Sequence, residues 1–222
     1  MSWTLCRDAA ELAALGSNRI ERFARQAIEL RGVFKLVLAG GSTPNACYRL
    51  LAERDCDWRN WHVYFGDERC LPALDPRRNS LMAERALLAR APIPAAQIHP
   101  IPAHLGAEAA ARAYSATLAG VYPFDLVLLG MGEDGHTASL FPGQRHEGEA
   151  GAVAIFDAPK PPAERVSLNP AALSNCRHLL YLISGSNKRA AIKLWRENLP
   201  IPAATITAFD SVERLVDRSA WQ

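Results

Sequence analysis

The chain has 222 residues, 49% hydrophobic and 22% charged, with a formal net charge of +2. So small a charge excludes a general electrostatic pull on nucleic acid. The lack of a transmembrane-length apolar run, or of a signal-like segment over 1–30, points to a soluble, cytoplasmic protein with no membrane partner. The size suits one large core, expected as a single domain over 1–222 with a lobe-like C-terminal part, and the five cysteines, odd in number and without a CxxC pair, read as reduced thiols.

Asp8 to Leu30 carries Leu12, Leu15, Ile20, Phe23, Ala27 and Leu30 at helical spacing, which predicts an amphipathic helix. Lys35–Ala39 is a short apolar strand, followed by Gly40-Gly41-Ser42-Thr43-Pro44 and a helix over Asn45–Glu53. Backbone N–H groups at such a helix start bind anions, and glycine lets a phosphate come close. Ser42 and Thr43 add hydroxyls, so a mononucleotide or sugar phosphate is the fitting ligand, against the alternative of a plain helix cap. The spacing is neither that of a P-loop nor that of the dinucleotide fingerprint. Trp61–Phe65 is the next strand, and Gly66-Asp67-Glu68-Arg69 puts charge at its end, some of it expected in a cleft. Then come a loop at Pro72–Arg78, a helix over Asn79–Ala89, a short strand at Ile98–Ile101 and an alanine-rich helix over Gly106–Ala119.

Phe124 to Gly143, FDLVLLGMGEDGHTASLFPG, organises the rest. Leu126–Leu129 is a continuous apolar run, the pattern of a strand buried on both faces of a parallel sheet. It passes at once into Gly130, Gly132, Glu133, Asp134, Gly135 and His136, where open α/β sheets place their ligands. A neutral imidazole can accept a proton from water near neutral pH, which makes His136 the candidate general base. Asp134 either orients that ring or forms the turn.

Val153–Phe156 and Arg165–Leu168 read as strands around a rigid Pro159-Lys160-Pro161-Pro162 loop, and Asn169-Pro170 starts a helical turn. His178–Ile183 is a buried strand that ends in Ser184-Gly185-Ser186-Asn187-Lys188, with a helix over Asn187–Leu199. Lys188 falls in that helix's first turn, where the dipole disfavours a cation unless an anion is bound. The expected end is a strand at Thr205–Ala208 and a helix over Ser211–Trp221. Strands alternating with helices give an α/β fold with a doubly wound, mainly parallel sheet flanked by helices.

Four strand ends therefore carry polar groups, and the motifs LAGGSTP (38–44), FGDER (65–69), FDLVLLGMGEDGHTASLFPG (124–143) and PKPPAERVSL (159–168) resemble those of the 6-phosphogluconolactonases of the bacterial, devB-like type. The likeness runs nearly end to end. It implies a Rossmann-like fold of the glucosamine-6-phosphate deaminase kind. It also implies hydrolysis of 6-phospho-D-glucono-1,5-lactone, the second step of the pentose phosphate pathway, with no cofactor and no metal. His136 and Asp134 would then be catalytic. Gly40, Gly41, Ser42 and Thr43 would grip the phosphate with Lys188 and Arg165 as counter-charges, and Asp67 and Arg69 would line the sugar end. The protein is expected to be a monomer or a weak homodimer.

The chain departs from the family pattern at Arg78, where Ser precedes the asparagine, and at Asn169, where many members have Thr; loop 144–152 is its own. Deaminases of the wider superfamily continue after the histidine toward an acid, where this chain has Thr137-Ala138-Ser139-Leu140-Phe141-Pro142. Other readings are a serine hydrolase using Ser139, a metallohydrolase using Asp67, Glu68, Asp134 and His136, and a non-catalytic sugar-phosphate sensor. GxSxG, HExxH and a segment for a helix-turn-helix module are all missing from the sequence.

Overall fold

A computed structural model describes residues 2–146 and 148–222. The chain opens with a strand that the sequence pattern did not reveal, β1 (Ser2–Cys6), and continues into α1 (Ala9–Arg31). Both ends of α1 are chemically fixed. The Asp8 carboxylate accepts the Glu11 N–H at 2.8 Å, and the Arg7 N–H reaches the Glu11 side chain at 2.6 Å. Gly32, at φ 73°, stops the helix and returns its N–H to the Ile28 carbonyl. Leu12, Ile20, Phe23 and Ala27 form the buried face.

β2 (Phe34–Leu38), α2 (Ser42–Leu51), β3 (Trp61–Phe65) and β4 (Asp67–Arg69) follow, then α3 (Asn79–Ala83), prolonged by a π-helical turn at Glu84–Leu88, and α4 (Ala107–Thr117). β5 (Phe124–Leu129) is buried along its whole length, as its unbroken apolar run predicts. Next come β6 (Ala152–Ile155), β7 (Arg165–Leu168), α5 (Pro170–Ser174), β8 (Cys176–Ile183), α6 (Arg189–Arg196), α7 (Pro202–Thr205), β9 (Ser211–Asp217) and α8 (Arg218–Trp221).

Six strands make one parallel sheet in the order β1-β9-β8-β5-β2-β3. From β2 the chain moves outward to β3, then returns to the other side of β2 with β5 and continues outward through β8 to β9. The reversal falls between β2 and β5, where Leu36 pairs with Leu126 and Val37 with Val127. Such a switch point opens a crevice at the carboxyl ends of its two strands. Here those ends are the starts of GGSTP and of GMGEDGH.

β4, β7 and β6 form a second, antiparallel sheet. It is stitched to the main sheet at Gly66, whose N–H reaches the Leu38 carbonyl at 3.0 Å and whose carbonyl accepts from Leu168 at 2.8 Å. This corrects the expectation of a C-terminal lobe: the small layer comes from mid-chain, and the C-terminus instead supplies β9 to the main sheet. Ser211–Asp217 is thus a strand, with only Arg218–Trp221 helical. The expected strand at Thr205–Ala208 is not one; α7 ends there. Ile98–Ile101 contributes only a single bridge, Val63 to Ile98. All five cysteines are free, and among the described residues no helix is long and apolar enough to cross a membrane.

Candidate active site

The loops at the switch point border a cleft of about 320 Å³. Gly40, Gly41, Ser42, Thr43, Asp67, Arg69, His136, Arg165 and Lys188 all line it, so every residue expected there except Asp134 borders the space directly. Asp134 lies just behind, bonded to His136. The fold thus gathers side chains separated by up to about 150 positions in the sequence, because each follows a strand of the same parallel sheet or belongs to the small sheet packed at its end.

His136 is held from several directions. The Asp134 carboxylate faces its ring Nδ1 at 2.5 Å and accepts its backbone N–H at 3.1 Å with the same oxygen. Its carbonyl accepts the Gly132 N–H at 2.8 Å, and its ring leans on Phe141 with centroids 4.7 Å apart. With Nδ1 committed to a carboxylate, the ring's proton belongs on Nδ1 and the lone pair on Nε2. Burial opposes ionisation of Asp134. The backbone N–H of His136, the charge of its ring and the ring hydrogen bond outweigh that, and the carboxyl stays below the usual carboxylate range. The glycines are here for space: a Cβ on Gly132 would lie 2.0 Å from His136 Nδ1. Gly135 turns the loop at φ 84° against Ile201. Ala138, in the cleft wall, is held at φ 48°, a region that non-glycine residues seldom occupy and that clusters at functional sites.

At the β2 end, Gly41 has φ 108° and starts α2 without any side-chain cap. A glycine fits there, and Ser42 and Thr43, the first residues of the helix, line the cleft. Gly40 is backed against Asn79, whose amide oxygen would be 2.0 Å from a Cβ placed on it. Across the cleft Lys188 caps the start of α6, and burial pushes its ammonium down while the nearby Glu133 opposes that shift.

Asp67 is buried, and its two oxygens are occupied: Ser139 Oγ donates to one at 2.7 Å and Asn79 Nδ2 to the other at 3.0 Å. Burial pushes its carboxyl up, against the Ser139 hydrogen bond and the charge of Arg69. Ser139 is wholly buried and bonded to Asp67, so its hydroxyl has no access to the cleft and none to His136. Glu68 turns away from the cleft. Its carboxylate accepts the N–H groups of Asn79 and Ser80 at 2.8 Å, which starts α3, and pairs with buried Arg78 at 3.3 Å. Arg78, the departure from the family pattern, therefore has a structural task, which it completes by donating to the Ile101 carbonyl. Asn169 likewise caps α5 through the Ala172 N–H. Arg165 donates to the carbonyls of Pro162 and Lys160 and lies over the Phe141 ring at 5.6 Å.

Among the charged and amide side chains that line the cleft, Asn79, Lys160 and Asn187 were not assigned to it from the sequence, whereas Glu133 was placed at the right strand end without a role. Lys160 sits within the PKPPAERVSL motif (159–168), but a loop lysine carries no mark of where it points. Among the described residues, no group of three or more His, Cys, Asp or Glu side chains is arranged to hold a metal ion.

Residues 7–215 match the family described as glucosamine-6-phosphate isomerases/6-phosphogluconolactonase. A 6-phosphogluconolactonase of Mycobacterium leprae is 35% identical, over 96% of this chain and 94% of its own length. The crystal structure of 6-phosphogluconolactonase from Thermotoga maritima superposes with a TM-score of 0.89 at 28% identity, covering 97% of this chain and 99% of that one. A monomeric glucosamine-6-phosphate deaminase reaches a TM-score of 0.86 at 21% identity, over 99% of this chain and 98% of that one, which shows a shared fold alone.

Proposed function

The chain belongs to the glucosamine-6-phosphate isomerase/6-phosphogluconolactonase family, and we propose that His136 and Asp134 are the working pair of its lactonase branch. The reaction is hydrolysis of 6-phospho-D-glucono-1,5-lactone to 6-phospho-D-gluconate, in the oxidative pentose phosphate pathway. The observation that carries the mechanism is the 2.5 Å contact of Asp134 with His136 Nδ1 at the edge of a cation-lined cleft.

The substrate is a cyclic ester with a phosphate dianion at its far end. His136 Nε2 takes a proton from water, and the oxygen attacks the lactone carbonyl carbon. Asp134 holds the ring in the required tautomer and stabilises the imidazolium that forms. It stays ionised while doing so, as its lowered pKa favours. The imidazolium then gives the proton to the ring oxygen as the carbonyl–oxygen bond breaks, which returns His136 to its neutral form. The GGST segment and Lys188 hold the phosphate by charge-assisted hydrogen bonds, and Arg165 adds charge. Arg69 faces the sugar, while Asp67, with both oxygens engaged, acts mainly by fixing the cleft wall.

The deaminase chemistry of the wider family is disfavoured by the segment after His136. Thr137 donates to the Gly130 carbonyl at 2.8 Å and Ser139 is spent on Asp67, and no acid follows. The reading also places the protein in the cytoplasm as a monomer or weak homodimer. Its test is a pair of assays. Lactone generated in place by glucose-6-phosphate dehydrogenase should disappear faster than its spontaneous hydrolysis, and glucosamine 6-phosphate should release no ammonia. Ammonia release at enzyme-like rates would move the chain to the deaminase branch.

A further inference from the structure

Unlike Asp67, which is buried with both oxygens engaged by Ser139 and Asn79, Glu133 is a half-exposed carboxylate in a cleft rich in cations. It lies on the β5 loop and accepts from Lys160 Nζ at 2.7 Å, across the cleft from a segment 27 positions later in the chain. Both side chains are about half exposed. Lys160's hydrogen bond first, then its charge, then a hydrogen bond from Asn187 hold the Glu133 carboxyl below its ordinary range, and Lys188 adds to the effect. One carboxylate thus pairs with Lys160 and feels the charge of Lys188, and all three line the cleft.

We propose that Glu133 is an internal stand-in for the substrate's phosphate, and that Lys160 leaves Glu133 for that phosphate when substrate binds. The inference rests on the lactonase reading above and adds a phosphate ligand to it. Charge supports it: of the charged side chains that line the cleft, Arg69, Lys160, Arg165 and Lys188 set against Asp67 and Glu133 leave two positive charges, which match in magnitude a phosphate dianion at neutral pH. Geometry supports it as well. The Lys160 carbonyl is pinned by Arg165 Nη2 at 2.7 Å and the Pro162 carbonyl by Arg165 Nε at 3.1 Å. The backbone that carries Lys160 is therefore fixed while its side chain can swing. A solvent-exposed ion pair is weak and exchanges easily, whereas a dianion forms stronger charge-assisted bonds to the same ammonium. In the free protein Glu133 lowers the mutual repulsion of Lys160 and Lys188. In the complex it is a nearby negative charge that weakens retention of the phosphorylated product.

Calorimetric titration with 6-phospho-D-gluconate tests this on the wild type, Glu133→Gln, Lys160→Ala and the double variant, with D-gluconate as the control that lacks phosphate. Glu133→Gln should tighten 6-phosphogluconate binding by roughly three- to tenfold and Lys160→Ala should weaken it by about tenfold. The gain from Glu133→Gln should largely vanish in the Lys160→Ala background, and D-gluconate should show no such pattern. Unchanged or weaker binding by Glu133→Gln overturns the proposal, because a carboxylate that bonded the sugar hydroxyls would behave that way. So does unchanged binding by Lys160→Ala, or an equal gain with D-gluconate. Binding by the wild type without lactone turnover would overturn the lactonase reading while the variants still decide the exchange; no binding at all would overturn both.

Discussion

Asp134→Asn isolates what the carboxylate does for His136. Asparagine keeps the size of the side chain and an oxygen that can accept the His136 N–H, now 3.1 Å away. It removes the charge beside the ring, 2.5 Å from Nδ1. When the ring becomes imidazolium, that charge is worth about 4 kcal/mol at a charge separation of ~4 Å and an effective dielectric of ~20. The Asp134 side chain is 35% exposed, so screening by water reduces this to about 2–3 kcal/mol. Each ~1.4 kcal/mol is tenfold in rate, and kcat should fall about 30- to 150-fold. KM should move little, since the charge matters only once the ring is protonated. The coupled dehydrogenase assay, corrected for spontaneous hydrolysis, reads both constants. The pH profile adds a check of sign. Only neutral imidazole accepts a proton from water, so a general-base mechanism predicts that wild-type activity falls on acidification. Burial of Asp134 raises its pKa, but the hydrogen bonds and charge of His136 lower it on balance, so the carboxyl stays ionised at and above the usual carboxylate range and adds no second ionisation there. An Asp134→Asn enzyme within threefold of wild-type kcat would refute the argument that the carboxylate assists the base.

Lys188→Ala should raise KM for the phosphorylated lactone by roughly ten- to a hundredfold, at about 1.5–3 kcal/mol for a charged hydrogen bond, and leave hydrolysis of unphosphorylated gluconolactone nearly unchanged; equal losses on both substrates would place Lys188 outside the phosphate site. Gly132→Ala drives a methyl group into the His136–Asp134 contact and should cost on the order of 100-fold in kcat while the fold survives; full activity would mean that the pair is not held as described. Asp217 accepts from Ser184 Oγ at 2.6 Å, Ser219 Oγ at 2.8 Å and the Ala220 N–H at 2.8 Å, so Asp217→Ala should cost about 2–4 kcal/mol of stability in urea unfolding. Burial of Asp217 raises its pKa, but the hydrogen bonds it accepts, led by that from Ser184, lower it on balance; the stabilisation is therefore complete above the unfolded value of about 3.9 and is lost as pH falls through the lower folded value. A deficit in the variant that does not shrink in acid would contradict that linkage.

The cleft was more legible in the sequence than the fold's edges were. His136, the GGST segment, Asp67, Arg165 and Lys188 follow apolar strands or sit in strand motifs, and a parallel sheet must bring its carboxyl ends to one side. β9 misled for a physical reason. Val212, Leu215 and Val216 have a spacing that suits a helix as well as a strand. Pairing with β8 on one side and β1 on the other decides in favour of the strand. Glu213 then meets Arg19 and Arg22 of α1, and the Arg214 guanidinium lies against Trp3 and Trp195. β1 is a short edge strand whose partner lies more than 200 positions away, a pairing that leaves no local trace. The small sheet was hidden in the same way: Asp67–Arg69 reads as a charged turn until Arg165–Leu168 lies antiparallel to it. Lys160 and Glu133 were visible as residues but not as a pair, because nothing in a sequence shows two loops facing each other across a cleft.

The measurement closest to the central claim compares lactone hydrolysis by the wild type and by His136→Ala, with the variant's folding checked by its melting transition. The lactone is generated in place by glucose-6-phosphate dehydrogenase, and its disappearance is followed above the spontaneous rate. The account predicts clear catalysis by the wild type and a kcat lower by roughly two to four orders of magnitude in the variant, the usual worth of a general base, with binding of 6-phospho-D-gluconate little changed. A folded His136→Ala protein that retains at least a third of wild-type turnover would contradict it.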